Sequence, residues 1–176
     1  MRIKVKHDDT PPTPPRQGGS FEAGLGAGWI HLTSDYASLT SPRGTAGLSL
    51  GYGAWIGDDV ALFLRAAAVA IPFSDGTLSE GYLGPTLQMW FTRTTWFGIG
   101  LGAGLLDVDF DGSGRDVQAW GPAGNLRVGH TLFQRSGHAL DLSLELSPAL
   151  FDVESGGDDA TIVGTSIGLL VGYQLL

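Results

Sequence analysis

The sequence predicts an all-β chain: eight antiparallel strands closed into an up-and-down barrel that crosses a membrane. Three observations carry this. From Ser20 onward, apolar residues alternate with small or polar ones in eight runs of about 11 to 15 residues, longer than the usual strand of a soluble sheet. Lysine occurs only at Lys4 and Lys6, whereas a soluble domain spreads Lys and Glu over its faces. The charges inside the runs, Glu22, Arg65, Arg127, Asp141 and Glu145, all fall on the parity opposite the apolar one.

Residues 1–19, MRIKVKHDDTPPTPPRQGG, precede the first run. Prolines at 11, 12, 14 and 15 favour an extended linker with no core of its own, and the Gly-Gly that follows marks its end. Met1–Arg16 contains no apolar stretch of the kind a secretory signal carries, so the expectation is either a leader already removed or a piece taken from a longer chain. The division is therefore a Pro-rich tail over 1–19 and a barrel over 20–176.

In the first run Phe21, Ala23, Leu25, Ala27 and Trp29 share one face, with Glu22, Gly24, Gly26 and Gly28 opposite. The second sets Leu48, Leu50, Tyr52 and Ile56 against Gly47, Ser49, Gly51 and Gly53, and the third sets Leu62, Leu64 and Ala66 against Phe63, Arg65 and Ala67. The fourth opposes Leu83, Pro85, Leu87, Met89 and Phe91 to Tyr82, Gly84, Thr86, Gln88 and Trp90. In the fifth, Phe97, Ile99, Leu101, Ala103 and Leu105 face away from Trp96 and the glycines at 98, 100, 102 and 104. The sixth gives Trp120, Pro122, Leu126 and Val128 against Ala119, Ala123, Asn125 and Arg127. The seventh alternates most cleanly, Leu140, Leu142, Leu144 and Leu146 against Asp141, Ser143, Glu145 and Ser147. The eighth opposes Val163, Ile167, Leu169, Val171, Tyr173 and Leu175 to Gly164, Ser166, Gly168, Gly172 and Gln174.

The connections alternate between two kinds. Gly57–Asp59, Thr92–Thr94 and Phe133–His138 are short or moderate, while Ser34–Gly44, Phe73–Gly81, Asp107–Asp116 and Phe151–Ala160 are longer and richer in Asp, Ser and Gly. A meander built this way has one trimmed rim and one elaborated rim.

Which face meets solvent is decided by the non-apolar parity. In a soluble barrel it would carry Lys, Glu, Arg and Thr; here it carries mainly Gly, Ala, Ser and Thr with a few large aromatics. Such residues suit the crowded lumen of an eight-stranded barrel, where glycine on one strand leaves room for Trp55, Phe63, Trp90 or Trp96 from others. The five in-strand charges then pair into a buried network, and the apolar parity, free of charge in its middle band, faces lipid. Outward aromatics fall toward the ends of the runs: Phe21, Phe91, Phe97 and Tyr173 near the short-turn rim, Trp29 and Trp120 near the other. Two such girdles are expected where a barrel crosses the membrane interfaces. A run of 18 or more apolar residues, which a spanning helix needs, does not occur.

In alternation, strand count, unlike rims and charged lumen, Ser20–Leu176 resembles the small eight-stranded outer-membrane barrels of OmpA and OmpX type. The resemblance implies a bacterial outer-membrane location, with termini and short turns periplasmic and long loops extracellular. It also implies contact with outer-membrane lipid and lipopolysaccharide, and insertion by the barrel-assembly machinery. Chains of that family usually finish on an aromatic residue; this one finishes Tyr173-Gln174-Leu175-Leu176. The Pro-rich tail would connect the barrel to a periplasmic module.

Other chemistry is sparsely signalled. A formal charge of −8 without a basic stripe argues against nucleic acid, and the absence of cysteine removes thiol chemistry. The glycines of GIGLGAGL keep period two and open no helix, so a dinucleotide fingerprint does not fit. The stretch DVDFDGSGRD places Asp107, Asp109 and Asp111 as a calcium loop begins, although Gln118 stands where such a loop wants a bidentate Glu. A Ca²⁺ site and an acidic solvated loop tip are the two readings; no other cofactor is indicated. His31, Ser34 and Asp35 cluster at the end of the first run, as a lipid-modifying hydrolase of the lipid A deacylase kind would need, but their spacing defines no triad. His130 and His138 fall near the opposite rim. The leading expectation is a barrel with a filled lumen in a structural, anchoring or surface-interaction role.

Overall fold

The computed structural model describes residues 17–34, 38–40, 45–74, 76–110, 117–155 and 158–176, which form one antiparallel sheet. Its strands are β1 (Gly19–Ser34), β2 (Ser38–Thr40), β3 (Thr45–Trp55), β4 (Val60–Phe73), β5 (Gly76–Trp90), β6 (Thr95–Phe110), β7 (Val117–Arg135), β8 (His138–Ser155) and β9 (Asp158–Leu175). From β3 to β9 each pairs with the next in sequence, and β1 pairs with both β3 and β9. The β1–β9 seam runs from Phe21 opposite Leu175 to Ser34 opposite Ile162, so the sheet closes on itself. The eight long strands are the barrel; β2 is a short strand folded back along β1, with His31 opposite Thr40.

Alternation sets which residues point inward. On β8, Ala139, Asp141, Ser143, Glu145, Ser147, Ala149 and Phe151 are buried, while Leu140, Leu142, Leu144 and Leu150 are exposed. The outer surface is the inverse of a soluble protein's: Leu101 is 75 % exposed, Tyr52 70 % and Leu25 67 %, among many others. An apolar belt this continuous marks a surface whose solvent is lipid, and ring closure leaves no strand edge unpaired in that medium.

The elaborated rim differs from expectation. Two of the four segments read as long loops are largely strand, since β5 begins at Gly76 and β8 and β9 stay paired out to Ser155 and Asp158, and a third begins as strand, with β6 continuing to Phe110. Above the belt the outward residues become Thr77, Ser79, Asp107, Asp109 and Asp152, because that part of the wall faces water. Hydrophobic alternation fades there although the backbone ladder continues. The fourth segment holds β2. At the other rim Ser136 and Gly137, with φ of 52° and 83°, form the two-residue turn between β7 and β8, where both positions need positive φ. A register shift between Thr131 and Phe133 leaves Leu132 and Phe133 both exposed.

The glycines of β6 are not equivalent. A side chain at Gly102 would overlap the backbone of β5, with Gly84 Cα only 2.7 Å from its Cβ, whereas one at Gly98 would meet Arg127 Cβ at an ordinary 3.5 Å. Gly102→Val is therefore expected to destabilise the barrel by about 3 kcal/mol and to abolish the fast-migrating folded band on unheated gels. Gly98→Ala should leave that band at its normal intensity.

Candidate functional site in the barrel lumen

Inward side chains fill the lumen in tiers. Toward the short turns, Trp55, Phe63, Trp90 and Trp96 cluster with Ala61 and meet Leu176, their rings tilted at centroid distances of 6.2 Å (Trp55–Trp90) and 6.3 Å (Trp90–Trp96). Toward the elaborated rim, Ile30, Ile71, Leu78, Leu106 and Phe151 form a second apolar cluster. Sequence reasoning expected mainly small residues on this face with Trp55, Phe63, Trp90 and Trp96 among them, and the first cluster holds those four. The second cluster lay hidden because several of its members sit in segments whose outer face is polar.

Between the two lies a charged tier. Arg65, fully buried on β4, donates through Nη1 and Nη2 to the two oxygens of Glu145 at 2.9 and 2.7 Å, and through Nε to Glu22 Oε1 at 2.8 Å. Arg127 on β7 donates through Nη1 to both Glu22 oxygens, at 2.8 and 3.0 Å, and its Nε lies 3.8 Å from Glu145 Oε2. Its guanidinium also stacks 4.7 Å from the Trp96 ring centroid, joining the ionic tier to the aromatic one. Two arginines and two glutamates from β1, β4, β7 and β8 thus form one network across the barrel. Asn125 extends it, donating to Glu145 Oε1 at 2.7 Å and Ser147 Oγ at 2.8 Å. Asp141 accepts from Thr131 Oγ1 at 2.6 Å and lies close to Arg127 and Trp96 at the edge of this tier. Gln88 donates to Gln174 at 3.4 Å.

Sequence reasoning missed one charge in this lumen. Glu80, on the inward parity of β5 between Leu78 and Tyr82, is 2 % exposed. It fell inside Phe73–Gly81, a segment read as loop. The signal was present in the continued spacing of residues 78, 80, 82, 84, 86, 88 and 90, all of them buried.

The remaining candidates are dispersed. Asp107 and Asp109 lie on the outward face of β6 itself; Asp107 accepts from Gln118 across the β6–β7 pair at 3.2 Å, and Asp111 is outside the described residues. His31 and Ser34 point to opposite faces of β1, with His31 Nε2 hydrogen-bonded to Thr33 Oγ1 at 2.9 Å, and Asp35 is outside the described residues, as is the Pro-rich tail through Arg16. The strand geometry therefore directs the two hydrolase candidates away from each other. Phe21, Trp29, Trp120 and Tyr173 are exposed on the outer wall, Phe97 is half-buried there, and Phe91 sits in the turn after β5. His138 and His130 are exposed at the short-turn rim, paired with Tyr173 and Thr95.

Solved structures share this architecture. The crystal structure of Neisserial surface protein A superposes with a TM-score of 0.62 at 14 % identity, covering 90 % of this chain and 98 % of that one. The chain has the fold of the small outer-membrane barrels. The attachment invasion locus protein of Yersinia pestis, Ail, solved in complex with the heparin analogue sucrose octasulfate, superposes with a TM-score of 0.58 at 15 % identity, covering 88 % of this chain and 98 % of that chain. No family model and no curated protein sequence matches.

Removing one partner from the ionic tier strands the others. Arg65→Met leaves Glu145 without its two-toothed partner and should lower stability by about 3 to 5 kcal/mol, read as a lower urea midpoint of unfolding in detergent or lipid. Arg65→Lys keeps the charge but not the fork, and its midpoint should fall between the two.

Proposed function

We propose that this chain is an integral protein of a bacterial outer membrane, with a structural, anchoring or surface-interaction role and no part in conduction. The observation that carries the reading is the filled lumen. Aromatic, ionic and apolar tiers succeed one another along the axis, with Arg65, Phe63, Trp96 and Phe151 each 1 % exposed or less. Eight strands enclose just enough space for such side chains, so the fold serves here as a rigid plug with a decorated rim.

The elaborated rim is the extracellular one in this reading, and the termini with the short turns are periplasmic. The wall contacts outer-membrane lipid and lipopolysaccharide, the barrel-assembly machinery inserts it, and the tail reaches toward a periplasmic module. The surface chemistry of the upper rim is acidic at Asp109 and Asp152, both exposed, within a chain of net charge −8. A sulfated ligand like the one bound to Ail is therefore not the partner this rim favours; a basic protein surface is.

Two measurements test the reading. Reconstituted in planar bilayers, the protein is expected to give no discrete conductance steps, and regular steps would contradict it. Since the chain has no cysteine, single Asp152→Cys and Gly57→Cys variants report orientation. An impermeant maleimide added to intact cells should label the first and spare the second; the reverse pattern would invert the assigned topology.

A further inference from the structure

The buried charges of the lumen do not cancel. Among the described residues, Arg65 and Arg127 are matched against Glu22, Glu80, Asp141 and Glu145. Both arginines are committed to Glu22 and Glu145, and Asp141 is held by Thr131. Glu80 has no charged partner among the described residues: its carboxylate oxygens are buried without a hydrogen bond of good geometry, and the Ser166 hydroxyl and backbone N–H are the donors that approach it. A carboxylate buried without a counter-charge costs several kcal/mol. The arginines being committed elsewhere, Glu80 is compensated either by a proton or by a cation that the protein itself does not supply.

There is room for it. Glu80 lines a cavity of about 20 Å³, large enough for one water-sized body, together with Tyr82, Glu145, Ser147 and Ser166. Every polar group on that list is an oxygen, the donor type that hard cations select. Only one of the two carboxylates is uncompensated, since Glu145 already accepts the Arg65 fork. Ser147 Oγ accepts from Asn125 at 2.8 Å and keeps a lone pair. The set of His, Cys, Asp and Glu side chains that a transition metal or divalent ion would require does not converge anywhere among the described residues. One net negative charge and a few hydroxyls match a single positive charge.

We propose that Glu80, with the hydroxyls of Ser147 and Ser166, forms a binding site for one small monovalent cation of about the size of sodium, set inside the barrel between the ionic tier and the upper apolar cluster. The ion completes the charge balance of this level and ties β5 to β8 and β9 across the lumen, where Phe151 and Leu106 shield it from the rim.

The test compares purified barrel in zwitterionic detergent with sodium chloride or N-methyl-D-glucamine chloride at equal ionic strength. The thermal midpoint is expected to rise stepwise with sodium for the unmodified chain and to stay flat for Glu80→Gln. Crystals grown with thallium(I) should show an anomalous peak beside a Glu80 oxygen. Equal midpoints in the two salts, or an equal sodium response in Glu80→Gln, would overturn the site. So would an infrared carbonyl band of a protonated carboxyl that disappears in Glu80→Gln, which would mean that a proton supplies the missing charge. Should Glu80→Gln fail to fold, the salt comparison and the thallium map on the unmodified chain still decide.

Discussion

The structure depends on one constraint: inside a bilayer, every backbone N–H and C=O must find its partner within the protein. A sheet meets it only by closing, and the β1–β9 seam, paired from Phe21–Leu175 to Ser34–Ile162, is where this chain closes. Closure with eight strands then dictates the rest. It creates a lumen too narrow for water to solvate buried charges freely and an outer wall that must be apolar. Period-two alternation is the only sequence pattern that serves both faces at once.

Given that constraint, the inside has to solve a packing problem and an electrostatic one together. Glycine is the spatial device: at Gly129 a side chain would collide with the ring of Trp96, and at Gly51 with the Glu22 carboxylate. The electrostatic device is the geometry of arginine. Arg65 holds both oxygens of Glu145 with its planar fork while Nε reaches Glu22 on another strand, a geometry the single ammonium of a lysine does not reproduce. The Arg127 guanidinium over Trp96 makes the ionic and aromatic tiers a single packed unit.

Much of this was legible in the residues, because period two is a strong signal wherever the two faces meet different media. Leu140 to Leu146 against Asp141 to Ser147 specifies both strand and orientation, and the parity of Glu22, Arg65, Arg127 and Glu145 places them on one face before any coordinates exist. What parity lacks is the third dimension. It does not say which arginine meets which glutamate, nor that Asp141 would turn to Thr131. It also fails where the wall leaves the membrane. There both faces of β5 and β6 are mixed, so strand was read as loop and Glu80 was overlooked. The upper apolar cluster was hidden for the same reason, since Ile71, Leu78 and Phe151 are inward residues beside a polar exterior.

The central claim, that the apolar parity meets lipid and the polar parity is the interior, can be tested with the chain's own tryptophans. Trp29 and Trp120 are exposed on the outer wall at 52 % and 59 %, whereas Trp96 is 1 % exposed. Single-tryptophan variants reconstituted in bilayers with brominated acyl chains would report which ring touches lipid. The account predicts strong quenching for Trp29 and Trp120 and none for Trp96. Quenching of Trp96 to the level of Trp29, or unquenched emission from both outer tryptophans, would contradict it.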